Sequence, residues 1–200
     1  MTDTEILEEM KRLRKMYALK GVMRYKSSRD MLVHSESVAE HLFGMQVLAQ
    51  YFLPLEDPKR LLGRERIFEL ILFHEIGEIE TGDILFHHKG EEQAEEERRA
   101  AGRVAAQLPV SLRGIAHERF LEFDACTTPE ARFTDAIDKI EPIFELFEEK
   151  AYANLKVNGV TLDIGVNGKR AATEKYPHMR KFLDAWTRHI VSKDAFAKLE

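Results

Sequence analysis

The chain has 200 residues, of which 44% are hydrophobic and 32% charged, with 30 Lys+Arg against 35 Asp+Glu for a net charge of −5. That length suits one domain of roughly 100–200 residues, and the negative balance argues against a nucleic-acid polymer or an anionic membrane as partner. A single cysteine, Cys126, excludes a disulfide framework and the Cys-rich zinc modules, and fits a reducing compartment. The acidic stretch from Met1 to Met10 lacks the apolar core of a signal peptide, and no segment reaches the ~20 apolar residues of a membrane span. The expectation is a cytoplasmic, helical protein.

Residues Thr4 to Ala18 read as a first helix with an apolar stripe through Ile6, Met10 and Leu13, broken by Gly21. Arg24 to Ser35 is irregular and locally basic through Arg24, Lys26 and Arg29. Ser37 and Glu40 then form the S-x-x-E pattern of a capping box, opening a helix that carries Val38, Leu42, Met45, Leu48 and Phe52 and is expected to stop before Pro54. A third helix is predicted from about Arg64 to Ile79, closed by Thr81-Gly82-Asp83. Further helical patterns cover Glu91 to Leu108, Pro109 to Phe123 and Pro129 to Asn154, the last with Phe133, Ile137, Ile140, Phe144 and Phe147 in register. The Asn-Gly pairs at Asn158 and Asn167 flank a segment that reads as a short extended or hairpin excursion, and Tyr176 to Val191 as a final helix. The fold class expected is all-α: one domain over residues 1–200, with its site in a core of about 24–147 and an elaboration over 148–200.

At ~100° per residue, His41 falls in the apolar stripe of its helix, and His74 lines up with Ile67 and Ile71, with Glu78 one turn further on. Two inward imidazoles are ordinary singly, but an inward carboxylate needs a partner or a metal, and Glu75 adds a second acid beside His74. Imidazole and carboxylate ligands together suit a divalent cation such as Mn, Co, Fe, Ni or Zn, and Mg less well. The pattern is not the His-Glu-x-x-His of zinc proteases, because Glu78 stands at the fifth position.

The blocks Glu36-Ser-Val-Ala-Glu-His41, His74-Glu-Ile-Gly-Glu78 running on to Asp83, and Ala131-Arg-Phe-Thr-Asp-Ala-Ile-Asp138 occur in the order and spacing of the HD-domain metal-dependent phosphohydrolases. The chain resembles in particular the 5′-deoxynucleotidases of the YfbR-like group and their eukaryotic relatives. That resemblance implies an HD-domain helical bundle and a homodimer acting on a small nucleotide. It implies a metal held by His41, His74, Glu75 and Asp138, with Glu75 standing where the family has Asp. It also implies catalytic roles for Glu78 and Asp83, and a substrate clamp from Arg24 and Tyr25, with Arg29 competing for that place. Periodicity alone puts Asp138 on the solvated side of its helix; only the resemblance selects it. Two other readings remain open: hydrolysis of another phosphorylated small molecule or a phosphoanhydride, and a non-catalytic nucleotide-binding domain.

Overall fold

The structure, a computed structural model, describes residues 2–8, 10, 37–82, 90–108, 110–157 and 159–198. Arg24, Tyr25, Arg29 and Asp83, and the loop histidines His87 and His88, lie outside the described residues. All regular structure among the described residues is helical, which bears out the all-α expectation. The helices are α1 (Val38–Glu56), α2 (Arg64–Phe73), α3 (Glu78–Thr81), α4 (Glu91–Gln107), α5 (Val110–Ala125), α6 (Pro129–Glu145), α7 (Glu149–Val157), α8 (Leu162–Ala172) and α9 (Pro177–Ser192). None of the described helices is long and apolar enough to cross a membrane. The chain divides into two compact units, one of Met1–Pro58 with Ala136–Glu200 and one of Lys59–Asp135.

In the first unit, α1 starts where the capping box places it. Ser37 Oγ accepts from the Glu40 amide at 3.2 Å, and Glu40 Oε2 accepts from the Ser37 amide at 2.6 Å. Its buried side, including Met45, Leu48 and Phe52, meets an aromatic core in which Phe52 lies 5.1 Å from Phe182 and 6.4 Å from Phe144, ring centre to ring centre. The helix does not stop before Pro54 but continues to Glu56. A proline in the last turn removes one amide donor, and the Asp57 amide still closes on Leu53 O at 2.8 Å.

The expected extended excursion is also corrected. Residues 162–172 form α8, because Thr161 caps it by accepting from the Ile164 amide at 3.3 Å, with Asp163 in the first turn and Lys169 and Arg170 in the last. What remains extended is one parallel bridge between Thr161 and Ala197, with the Ala197 amide donating to Val160 O at 2.9 Å.

In the second unit, Phe73, Ile76, Ala101, Val104, Ala105, Ala116 and Phe120 form a continuous core. The predicted third helix is not continuous: α2 ends at Phe73, His74 to Gly77 form a turn, and α3 begins at Glu78. The turn is tightened by bonds from the Ile76 amide to Phe73 O and from the Glu78 amide to Glu75 O, each one residue shorter than an α-helical bond. Gly77 allows α4 to press on this turn, since a Cβ there would sit 2.7 Å from Glu97 O and 2.8 Å from Glu97 Cγ. Gly82, at φ 72°, then turns the chain out of α3.

The close approach at Gly77 leaves no room for a methyl group, so Gly77→Ala is expected to destabilise the fold by about 1–3 kcal/mol in urea unfolding. An unchanged unfolding midpoint would show that α4 yields without strain.

Candidate functional site

In the first unit the candidate side chains come from α1 and α6. His41, on the second turn of α1 and 16% exposed, sits between two carboxylates. Its Nε2 is 3.0 Å from Asp138 Oδ1 and its Nδ1 is 3.1 Å from Glu141 Oε2. Burial disfavours charge on this ring, yet the hydrogen bonds and charges of Asp138 and Glu141 outweigh it and hold the imidazole pKa well above its ordinary value. With Nδ1–H donated to Glu141, Nε2 is the atom through which the ring can either carry a proton toward Asp138 or ligate a cation.

Asp138 is not solvated as periodicity predicts; its side chain is 14% exposed. The reason is the environment of α6. From Ala131 to Phe147 only Arg132 is fully exposed, and Asp135, Asp138, Lys139 and Pro142 are partly buried, so the side opposite the apolar stripe is largely covered. Glu141, with none of its side chain exposed, is a residue that the sequence analysis missed. A signal was present: Glu141 falls four residues after Ile137 and three before Phe144, inside the apolar stripe, as a carboxylate that needs a partner.

In the second unit, His74 caps α2 and is buried. Its Nδ1 bonds Ile71 O at 3.0 Å, and a carbonyl can only accept, so Nδ1 carries the hydrogen. In the neutral ring this leaves a lone pair on Nε2, which lies 3.3 Å from Glu75 Oε1. Two electron-rich atoms at that separation suit a cation between them, so the donor chemistry of the His74–Glu75 pair fits a metal. Phe123 packs on the imidazole at 4.5 Å, ring centre to ring centre, and fixes its plane.

Glu78 does not extend a helical line through Ile71 and His74, because the turn intervenes. It opens α3 instead, half-buried, and groups with Glu75 and Glu97, one carboxylate oxygen from each lying within 4.8 Å of the others. Glu78 lines a cleft with Thr81, Gly82, Gln93, Glu97 and Arg103. Arg103 in that cleft is engaged, its guanidinium bonded to Glu80 at 2.7 Å and Glu96 at 2.8 Å.

Lys169 on α8 is a further ionisable group in the first unit, outside every sequence motif. Burial lowers its pKa to about 8, against the attraction of Asp138 and Glu141 and with the help of Lys139. A folded-state pKa below the unfolded value means that folding releases a proton over this window, so stability rises from about pH 8 to 10.5 and the charged ammonium opposes folding at pH 7. Lys169→Met is therefore expected to raise the melting temperature of the metal-free protein at pH 7 by roughly 2–6 °C, with the advantage shrinking toward pH 10. A lower melting temperature at pH 7 would mean that Asp138 and Glu141 depend on that charge.

The HD domain family matches residues 16–180 of the chain. A 5′-deoxynucleotidase, hdd1, from Schizosaccharomyces pombe is 34% identical over 119 residues, which is 56% of this chain and 58% of that protein. The 5′-deoxynucleotidase HDDC2 of Homo sapiens is 30% identical over 115 residues, 56% of this chain and 54% of that protein. The chain thus matches little more than half the length of these curated relatives. A crystal structure described as a "Predicted metal-dependent phosphohydrolase" from Magnetospirillum magnetotacticum MS-1 shares the fold, with a TM-score of 0.71 and 24% identity over 98% of this chain and 94% of that one. With the family matching most of its length, the chain belongs to the HD domain family.

Proposed function

We propose that the chain is a divalent-metal-dependent phosphomonoesterase that removes the 5′-phosphate of deoxyribonucleoside 5′-monophosphates. The observation that carries this reading is the pairing of each inward histidine with a carboxylate, His41 with Asp138 and His74 with Glu75, at hydrogen-bond range and with the ring nitrogen that can ligate turned to the acid. The names of the relatives in fission yeast and human support the substrate class. In this reading His41, His74, Glu75 and Asp138 are metal ligands, for a cation of the Mn, Co, Fe, Ni or Zn type. Such a cation, when bound, supplies a water of lowered pKa and polarises the phosphoryl oxygens.

The chain's own residues supply the rest. Glu141 takes the Nδ1 hydrogen of His41 and keeps Nε2 directed at Asp138; Ile71 O does the same for His74. Glu78 and Asp83 divide the work of holding the attacking water and returning a proton to the departing 5′-oxygen. Arg24 with Tyr25, or Arg29, clamps the phosphate through the paired donors of a guanidinium. The chain works as a homodimer, which light scattering on the purified protein checks.

The test strips the protein with chelator, restores single metals and measures phosphate release from nucleoside mono-, di- and triphosphates. Release from deoxyribonucleoside monophosphates with at least one of these metals is expected, and His74→Ala is expected to lower it by about 100-fold or more with loss of bound metal. No release with any metal would overturn the enzymatic reading and leave a binding domain, while preference for a di- or triphosphate would move it to phosphoanhydride hydrolysis. Glu75→Asp is expected to retain release but change which metal supports it best, as the carboxylate becomes one methylene shorter. Glu141→Gln keeps the shape of the side chain and removes its charge; metal affinity in a chelator-dye competition is expected to fall about 10- to 100-fold. An unchanged affinity would show that Glu141 does not tune His41.

A further inference from the structure

The carboxylates Asp138 and Glu141 stand beside His41, and a phosphate dianion brought near them meets two like charges. Among the described residues, Asp138 Oδ1 lies 3.0 Å from His41 Nε2, and Oδ2 accepts from Lys139 Nζ at 2.6 Å. This second bond is not one that helix geometry supplies. Adjacent residues on a helix point about 100° apart and do not face each other. The Lys139 stem therefore curls back along α6 to place its ammonium on a carboxylate that is 14% exposed, although the lysine itself is 44% exposed and has water available. Ordering that flexible side chain has an entropic cost, which a short charge-assisted bond to a mostly buried acid offsets.

We propose that Lys139 is a positioning residue of this site: its ammonium holds Asp138 Oδ2, so that Oδ1 alone is presented to a metal, and it offsets one of the carboxylate charges that would repel a phosphate dianion. The inference rests on the phosphohydrolase reading for its substrate and on the Asp138 geometry for its effect on metal. Its two consequences have opposite signs. An ammonium on a ligand carboxylate competes with the metal for that carboxylate's charge, so Lys139 weakens metal binding. The same ammonium favours an incoming anion, so Lys139 strengthens substrate binding. A side chain that merely supports the fold would favour both.

The experiment compares the wild type, Lys139→Met and Lys139→Arg in two arms. In the first, metal affinity of the chelator-stripped protein is measured by calorimetry without substrate. In the second, kcat and KM for a deoxyribonucleoside monophosphate are measured at saturating metal. Lys139→Met is expected to bind metal about three- to tenfold more tightly and to raise KM by about three- to tenfold with a smaller change in kcat, while Lys139→Arg stays near the wild type in both. Unchanged or weaker metal binding by Lys139→Met, or an unchanged KM, would overturn the proposal. If the wild type binds metal but releases no phosphate, the enzymatic reading falls. The metal arm then decides Lys139 alone: tighter binding by the Met variant supports the positioning role, and any other result removes it.

Discussion

A carboxylate with no exposed surface is held in a protein only where positive charge or donated hydrogens meet it, and Glu141 is such a group. Its Oε2 faces Nδ1 of His41, and the other side of that ring faces Asp138. The rest of the first unit's chemistry depends on this line of acid, imidazole and acid. It orients the ring, raises the affinity of its far nitrogen for a proton or a cation, and ties α1 to α6 by polar bonds where the neighbouring contacts are apolar. Lys139 and Lys169 are consistent with the same constraint, since each brings an ammonium to the surroundings of the two carboxylates.

The second unit solves a related problem by a different device. His74 needs no acid behind it, because the end of α2 leaves carbonyls without helical partners and Ile71 O accepts the Nδ1 hydrogen. The break in the helix makes this possible. Had α2 run on to Ile79, Glu75 and Glu78 would occupy ordinary helical positions. The tight turn instead sets Glu75 beside His74 Nε2 and opens α3 on Glu78. Gly77 is what lets Glu97 and α4 close on that turn. Glu75, Glu78 and Glu97 are gathered around it, one carboxylate oxygen of each within 4.8 Å of the others.

Much of this was legible in the chain. The capping box at Ser37 and Glu40 is a local device, complete within four residues, and it forms as read. The inward direction of His41 and His74 followed from apolar spacing on single helices, because such spacing reports a face that something must cover. The all-α class followed for the same reason. Family likeness selects Asp138 against its own periodicity, and the position of Glu141 inside the apolar stripe marks a buried carboxylate.

Periodicity by itself determined which segments are helical and which side of each is turned inward, since both depend on contacts a few residues apart. Only the tertiary structure decided that α6 is largely covered on the side opposite its apolar stripe, so that Asp138 is brought beside His41. It likewise decided that the third helix breaks at His74, where the close approach of Glu97 to Gly77 comes from residues twenty positions away. The segment after Gly159 became a helix because a threonine cap and well-placed end charges were available to it, where the sequence pattern alone fitted an extended strand equally well. Local spacing records how a segment meets a surface; it does not record how many surfaces will meet the segment.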